Sequence, residues 1–170
     1  MVNVALRPLE AADLPVFDHA YGSPDASGEH QWFGFSPPGR SLAEMGALGP
    51  RGGRLTVTAD GRVVGSVFWF RREWGPPDTS WCWEVALHIL AEERRRGVGT
   101  RSMILLTRYL FDHTLAWRVQ AIADVANTPS RRMLTRVGFT EEGVLRAAQW
   151  REGRRHDQVI YSLLRDERGP

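Results

Sequence analysis

The sequence predicts a single α/β domain in which a mixed central β-sheet carries helices on both faces. Three observations predict this class. The chain has 170 residues, the size of one domain with one hydrophobic core. Its predicted elements follow the order β, α, α, β, β, β, α, β, α, β, β, which is typical of a layered α/β fold. Near the middle of the chain, the apolar period changes from two to between three and four, so a strand leads directly into a helix.

The first quarter of the chain predicts one strand, two helices and a long loop. Residues 2–6 alternate as a strand does, and residues 11–20 predict a helix. Residues 21–40 are rich in Gly, Pro, Ser and Asp, which is typical of a loop. Residues 41–48 predict a short helix with Ser41 as its N-cap.

A β-hairpin follows. Residues 55–59 and 63–70 are strand-like, and the Asp60-Gly61 pair between them suits a two-residue turn. Residues 71–80 contain a Gly-Pro-Pro run and predict an exposed loop.

The chain is organised around the next strand, turn and helix. Residues 81–90 alternate with a period of two, whereas residues 98–113 place apolar side chains on one helical face. Between them lies the pattern Arg94-x-x-Gly97-x-Gly99. Glycines let a backbone turn tightly, and a helix N-terminus presents free N–H groups and a positive dipole end. The pattern therefore predicts a socket for phosphate groups, although a helix start with solvated arginines would look similar.

Two other phosphate motifs are excluded at this turn. A P-loop requires a lysine, and the chain has none. A Rossmann turn requires a third glycine where this chain has Ser102.

The last third of the chain predicts a strand, a helix and a second hairpin. Residues 117–125 form the strand, and the helix after it is capped by Thr128 and ends at Gly138. Residues 140–165 read as two strands around a turn at 152–154. The strands on either side of the long helix would form a right-handed β-α-β unit and hence a parallel pair.

Composition narrows the class of function. All 22 basic residues are arginine, and the formal net charge is only +2 because acids are interleaved with them. A nucleic-acid-binding surface would more often be one-sidedly basic. One cysteine, Cys82, excludes an internal disulfide, and no His/Cys spacing suits a metal. No apolar run reaches membrane-spanning length and no export signal begins the chain, so a cytoplasmic protein that binds neither membrane nor nucleic acid is expected.

Several segments together resemble the GCN5-related N-acetyltransferase (GNAT) superfamily, in its RimJ/RimL-type branch. The resemblance covers nearly the whole chain, 1–170, as one domain. The segments that resemble the family's motifs are, in chain order, Leu6-Arg7-Pro8-Leu9 with Asp13-Leu14, Asp60–Ser66, Glu84 ten residues before Arg94, Asn127-x-x-Ser130-x-Arg132 before Gly138-Phe139, and the tail from Gly143 to Glu167.

The resemblance implies an enzyme that moves an acetyl group from acetyl-CoA directly to a primary amine. The amine would belong to a protein N-terminus or to a small molecule, and family members often form homodimers. A catalytically silent CoA-binding sensor or partner module of the same fold is the alternative. The joint presence of Glu84, Asn127 and Ser130 favours the enzyme. Cys82 could carry the acetyl group covalently, but its tryptophan neighbours suggest burial, which favours direct transfer.

The resemblance also implies how coenzyme A is held. Backbone amides at residues 95–100 and the adjacent arginines would bind the phosphates. Backbone groups of the central strand would hold the pantetheine arm, and the Asn127 carboxamide would bond its amides or, alternatively, cap the following helix. The implied cofactor-binding residues are Leu87, His88, Ile89, Arg94, Arg95, Arg96, Gly97, Val98, Gly99, Thr100, Asn127, Ser130 and Arg132.

Amide formation also needs a base, an oxyanion donor and an acid. Glu84 is the first candidate for the base, although it could instead pair with an arginine, and His88 is the second, although a strand histidine is often structural. The Ile89 N–H would polarise the acetyl carbonyl. Ser130 resembles the family serine that would protonate the departing thiolate, or it could simply satisfy backbone groups of its helix.

The acceptor pocket would lie where the family resemblance is weakest. Trp32, Phe33 and Trp150 are predicted to contact the substrate together with Glu84. For the aromatic pair at 32–33, capping of the hydrophobic core is an equal alternative, because large apolar rings are costly to leave in water.

Overall fold

The computed structural model describes residues 2–33 and 49–167, which build a seven-stranded mixed sheet. The strand order is β1-β2-β3-β4-β5-β7-β6. Every neighbouring pair is antiparallel except β4 and β5, which are parallel. The strands are β1 (Val4–Arg7), β2 (Gly52–Ala59), β3 (Arg62–Glu73), β4 (Trp81–Ile89), β5 (Arg118–Asp124), β6 (Thr140–Arg151) and β7 (Arg154–Leu164).

Helices cover the sheet on both faces, which confirms the predicted fold class. The α-helices are α1 (Leu14–Tyr21), α2 (Pro24–Ser27), α3 (Val98–His113) and α4 (Thr128–Val137). Short 3-10 turns occupy Ala11–Asp13, Ala91–Glu93 and Arg165–Glu167.

The main hydrophobic core lies between the sheet and the face covered by α3. Leu106 and Leu110 of α3 are fully buried there, against Trp83 and Val85 of β4. On the opposite face, Phe17 of α1 is fully buried but lies outside this core. The alternating side chains of β4 therefore serve two different layers, as a strand covered on both faces requires.

Two loop predictions were wrong in part. Residues 21–40 contain α2, where Ser23 accepts a hydrogen bond from the Ala26 N–H at 3.2 Å. The Ser-Pro pair that suggested a loop is in fact an N-cap followed by proline in the first turn. Residues 71–80 begin as strand, because β3 continues to Glu73 and pairs there with Trp81. The helix predicted at 41–48 lies outside the described residues.

The predicted turns are confirmed by their backbone angles. Asp60 and Gly61 have φ values of 49° and 80°, and Glu152 and Gly153 have 52° and 74°. Two successive positive φ angles define the type I′ turn, whose twist matches that of paired strands.

The ends of α4 show one confirmed prediction and one error. Gly138 ends the helix with a φ of 106°. The N-cap is Asn127, the alternative role considered for its carboxamide, and not Thr128, because the Asn127 Oδ1 accepts a hydrogen bond from the Ser130 N–H at 3.1 Å. The central β4-α3-β5 unit is parallel, as predicted.

Within residues 2–33 and 49–167, no helix combines the length and apolar character needed to cross a membrane. The same residues contain no group of three His, Cys, Asp or Glu side chains placed to hold a metal ion.

Candidate active site

The sheet opens at its centre. The parallel pairing of β4 with β5 covers only three residues, from Trp83 to Val85 on β4. The rest of β4, residues 86–89, remains paired with β3 but has no partner strand on its other side among the described residues. An unpaired strand edge presents backbone N–H and C=O groups that an extended ligand can bond.

The pairing with β3 determines which residues face this edge. The Leu90 N–H bonds to the Val64 carbonyl, and backbone groups alternate sides along an antiparallel strand. His88, paired with Ser66, therefore directs its backbone groups to β3, whereas Leu87 and Ile89 direct theirs to the open edge. The backbone of His88 is thus unsuited to the cofactor-binding role predicted for it.

The two carbonyl groups at the open edge are already bonded. The Leu87 carbonyl accepts from the Gln31 amide at 2.9 Å, and the Ile89 carbonyl accepts from Arg94 Nε at 2.9 Å. These contacts tie the segment around α2 to the end of β4. The N–H groups of Leu87 and Ile89 are the edge groups left facing the gap.

The predicted phosphate turn leads from this edge into α3. Its two glycines do different jobs. Gly97 has a φ of 76° and nothing within 4 Å of the position that a Cβ would occupy, so it is needed for the left-handed backbone. A Cβ on Gly99 would lie 3.2 Å from Leu87 Cδ2, so this glycine permits close packing of α3 on β4.

The first turn of α3 holds unbonded amides. The Arg101 N–H makes the first helical bond, to the Gly97 carbonyl at 3.2 Å. The preceding N–H groups of Val98, Gly99 and Thr100 have no carbonyl four residues earlier within the helix. These amides and the positive end of the helix dipole make this turn suitable for phosphate.

The three arginines of the turn have separate surroundings. Arg94 points back to the Ile89 carbonyl and to the Ser27 carbonyl at 3.3 Å. Arg96 forms an ion pair with buried Glu93 at 2.6 Å. Arg95 is exposed and has no hydrogen-bond or ion-pair partner in the part of the chain that the structure describes. Arg95 is therefore the side chain of the three most accessible to a phosphate.

A cavity of about 920 Å³ lies beside the gap between β4 and β5. It brings together Glu84, the 87–88 segment, Asn127, Ser130 and Phe33, all of which the sequence singled out. Trp32 and Trp150 are not among its lining residues; Trp150 is 58% exposed and lies against Arg155. Arg132 is on the exposed side of α4.

Glu84 lies in the cavity wall inside a hydrogen-bonded group. Arg72 on β3 donates to both of its carboxylate oxygens, each at 3.0 Å, and this contact raises the pKa of Arg72. Gln120 donates to Oε2 at 2.8 Å. The Gln120 carbonyl in turn accepts from Trp74 and from the Cys82 thiol. The arginine pairing considered from the sequence is present, and it does not exclude a role for Glu84 as base.

His88 shares the cavity wall and is neutral at physiological pH. It is only 2% exposed, and its ring lies 4.7 Å from that of Tyr21. Burial, followed by the charges of Arg94 and Arg54, lowers the pKa of His88 to about 4. Neither ring nitrogen makes a hydrogen bond of normal geometry within the described residues.

Ser130 and Asn127 mark the α4 side of the cavity. Asn127 uses its Oδ1 to cap α4, so its amide nitrogen is the part available to a ligand. Ser130 is half-buried in the first turn, and its hydroxyl belongs to the cavity lining. Cys82 is fully buried outside the lining, and burial raises the pKa of its thiol, which disfavours the thiolate needed for covalent transfer.

Several lining residues were missed by sequence reasoning. On β2 and β3 they alternate with core residues and share one face of the sheet; a period of two indicates such a common face but not which residues of β4 lie beside it. The missed residues are Arg54, Phe68, Phe70 and Arg72, together with Tyr21 on α1.

A splayed parallel pair, an open strand edge and a helix N-terminus with unbonded amides meet at one site of this α/β protein. The chain belongs to the acetyltransferase (GNAT) domain family, whose model matches residues 3–140.

Known proteins share this fold. The chain is 37% identical over 84 residues to "Putative ribosomal N-acetyltransferase YdaF" of Bacillus subtilis (strain 168), covering 49% of this chain and 46% of that protein. The chain thus spans about half the length of the curated relatives it matches. The structure of Mycobacterium smegmatis RimJ in complex with CoA-disulfide superposes with a TM-score of 0.77 at 20% identity, over 96% of this chain and 83% of that one. The structure of RimL, the ribosomal L7/L12 alpha-N-protein acetyltransferase in complex with coenzyme A, superposes with a TM-score of 0.79 at 14% identity. The match covers 95% of this chain and 93% of the RimL chain.

Proposed function

We propose that this protein is an N-acetyltransferase that moves an acetyl group from acetyl-CoA directly to a primary amine. The observation that carries the proposal is the continuity of three features. The phosphate turn at the start of α3 leads into the free N–H groups at the β4 edge, and that edge leads into the cavity that contains Glu84. A linear ligand with phosphates at one end, amides in the middle and a thioester at the other matches this order.

Each part of the site has a proposed task in holding that ligand. The amides of Val98, Gly99 and Thr100 bind the diphosphate, with Arg95 adding positive charge. The Ile89 N–H and the Asn127 side-chain amide bond the pantetheine arm. This arrangement extends the sheet by one ligand strand in the gap beside β4.

The reacting groups have separate tasks. Acetyl-CoA supplies an activated carbonyl and a thiolate leaving group. The Leu87 N–H donates to the thioester oxygen in place of the Ile89 N–H expected from the sequence, because Leu87 lines the cavity with Glu84 and Ile89 lies nearer the phosphate turn. The Ser130 hydroxyl donates a proton to the departing sulfur. Amines have pKa values near ~10 and arrive mostly protonated, so Glu84 accepts the proton, through a water because Arg72 holds both carboxylate oxygens.

The acceptor enters from the side lined by Phe33, Phe70 and Gln149. The RimL neighbour is described as acting on a protein N-terminus. For this chain, a peptide N-terminus or a small-molecule amine remains the acceptor class, in a cytoplasmic setting and with homodimer formation as in many family members. Trp32, Arg132 and Trp150 keep their predicted binding roles as hypotheses.

A thiol-release assay tests the proposal. Purified protein is mixed with acetyl-CoA and a panel of amines and N-terminal peptides, and free thiol is measured. Glu84→Gln should lower kcat by about 100-fold, the lower end of general-base effects, and leave CoA affinity unchanged. Glu73→Gln, which changes an exposed glutamate at the end of β3, is the control and should have no effect.

Tight CoA binding without thiol release for any acceptor would contradict the enzyme. That outcome would favour the silent CoA-binding module of the same fold.

A further inference from the structure

Arg54 is a buried cation in the cavity wall, and no ion pair to it is present within residues 2–33 and 49–167. It lies on β2 and is 8% exposed. Its hydrogen-bond partners among the described residues are neutral: the Ser66 hydroxyl at 3.3 Å and the Tyr21 hydroxyl at 3.5 Å. Glu84 and Asp124, two acids of the same lining, form their ion pairs with Arg72 and Arg151 instead.

The other buried arginine in the described part of the chain shows what is missing. Arg151 is 4% exposed and forms an ion pair with Asp124 at 2.9 Å, as buried charges in proteins normally do. Besides the two hydroxyls, Arg54 has ring faces nearby, with its guanidinium carbon 4.6 Å from the Phe68 centroid and 5.9 Å from that of Tyr21. Ring faces offset a part of the desolvation penalty, and burial lowers the pKa of Arg54.

A second buried polar group lies beside it. His88 is 2% exposed, and neither ring nitrogen makes a hydrogen bond of normal geometry in residues 2–33 and 49–167, although a backbone group of Ser27 lies close enough to interact with the ring. Strand register places it on the same sheet face as Arg54, since His88 pairs with Ser66 and Arg54 pairs with Phe68 two residues further along β3. Tyr21 contacts both side chains, with its ring 4.7 Å from His88.

We propose that Arg54, His88 and Tyr21 form an anion subsite of the acceptor pocket, which binds the carboxylate of an amine that also carries an acid group. A guanidinium is the best partner for a carboxylate, and the His88 ring and Tyr21 hydroxyl supply further donors. This inference rests on the proposed function and narrows its substrate class.

The sheet also sets the spacing between acid and amine. Arg54 lies two strands away from Glu84 and two residues along, which puts their Cα atoms about 12 Å apart by ordinary sheet spacings. An acid separated from the amine by several bonds fits between them. An ω-amino acid has this form.

Matched acceptor pairs test the subsite. Thiol release from acetyl-CoA is measured with 6-aminohexanoate against 6-aminohexanamide, and with 4-aminobutyrate against 4-aminobutanamide. The wild type should favour each acid at least about tenfold in kcat/KM, the effect of a single charged contact. Arg54→Gln should bring that preference within about twofold, chiefly by lowering kcat/KM for the acids.

Two further variants exclude general effects. Arg108→Gln removes an exposed arginine on α3 and should keep the acid preference. Arg54→Lys should keep part of it because the charge remains.

Arg54→Gln should melt at the same or a higher temperature than wild type, since an unpaired buried charge is removed. A clear fall in melting temperature, or an acid preference that survives in Arg54→Gln, would overturn the proposal.

A direct binding measurement separates this inference from the proposed function. The ring signals of His88 are followed by NMR during titration with 6-aminohexanoate. Binding of the carboxylate should shift these signals and raise the pKa of His88 in the wild type, and should do neither in Arg54→Gln. If no amine releases thiol but this response is present, the proposed function fails and the subsite stands; if the response is absent, the subsite is refuted.

Discussion

At the scale of single residues, the cavity wall combines the neutral side chain of His88 with two arginines, Arg54 and Arg72, whose surroundings differ. Arg72 is held by Glu84, whereas Arg54 has no acidic partner among the described residues. His88 stays uncharged because protonation would add a second positive charge to a buried, already cationic region. The wall is thus prepared to receive negative charge near Arg54, and Glu84 can accept a proton at the other end.

The depressed pKa of His88 predicts a pH-dependent stability. The histidine binds a proton near pH 6.5 in the unfolded chain but only near pH 4 in the folded one. The unfolded state is therefore favoured as pH falls through this window, and the free energy of unfolding should drop by about 2 kcal/mol from pH 7 to pH 5. Urea unfolding at pH 7 and at pH 5 measures this change in the free energy of unfolding.

His88→Phe is the matched variant for this effect, because it keeps a ring against Tyr21 and cannot titrate. Between pH 7 and pH 5, the free energy of unfolding of His88→Phe should fall by about 2 kcal/mol less than that of the wild type. An equal loss in both proteins would show that His88 is not responsible. The carboxylates of Asp13, Asp124 and Glu142 also have lowered pKa values, but their contributions are lost at lower pH, near and below their ordinary values.

Sequence reasoning located Glu84 through the family resemblance, ten residues before Arg94, and His88 through its place on the same face of one strand. It missed Arg54 and Arg72 because their placement depends on register between strands. Phe70 pairs with Glu84, and this pairing brings Arg72 to a residue 12 positions later in the chain. A single sequence contains no direct record of such pairings, so the partner of Glu84 could be anticipated only as an unnamed arginine.

At the scale of elements, the turn before α3 is suited to bind phosphate mainly through its backbone N–H groups and less through its arginine side chains. Of its three arginines, two are engaged by Glu93 and by backbone carbonyls. Its glycines separate the two demands of the site: Gly97 turns the chain, and Gly99 lets the helix approach Leu87. The R-x-x-G-x-G pattern predicted the turn, but the different tasks of its residues needed the structure.

A pair of glycine variants tests the turn. Gly97→Ala and Gly153→Ala introduce the same strain, since φ is 76° at one and 74° at the other and neither new Cβ meets another atom. Each should cost about 1 kcal/mol of stability. Only Gly97→Ala should weaken CoA binding, by about fivefold, because the strain at residue 97 displaces the adjacent backbone amides of Val98, Gly99 and Thr100.

Calorimetric titration with CoA measures this difference. Equal affinities for CoA in the two variants would argue against a role for this turn in phosphate binding. Gly99→Val should weaken binding more strongly, because its side chain would push α3 away from Leu87.

Element prediction failed where one composition fits two structures. The Ser23-Pro24 pair is equally suited to a loop and to a helix start, and α2 proved to be a helix of four residues. The extension of β3 to Glu73 is held by its pairing with Trp81, which composition does not reveal. Long periodic segments such as α3 and β4 were predicted correctly because each of their residues supports the same period.

At the scale of the whole molecule, one parallel pair within an otherwise antiparallel sheet creates the site. The antiparallel pairs are held over four to nine positions, but β4 and β5 are held over three, and the strands are free to part beyond Val85. The right-handed β-α-β connection places the N-terminus of α3 at the end of this gap. The class of fold was predictable from element order, but the extent of the gap was not, because a sequence does not state where pairing stops.

The most direct test of this account is an NMR titration of the backbone amides with ADP, pantetheine and CoA in turn. ADP should shift Val98, Gly99 and Thr100, and pantetheine should shift Leu87 and Ile89. CoA should shift both groups together and leave His88, whose amide faces β3, far less affected. If CoA binds and the amides of the α3 start and the β4 edge do not respond, the proposed binding site is wrong.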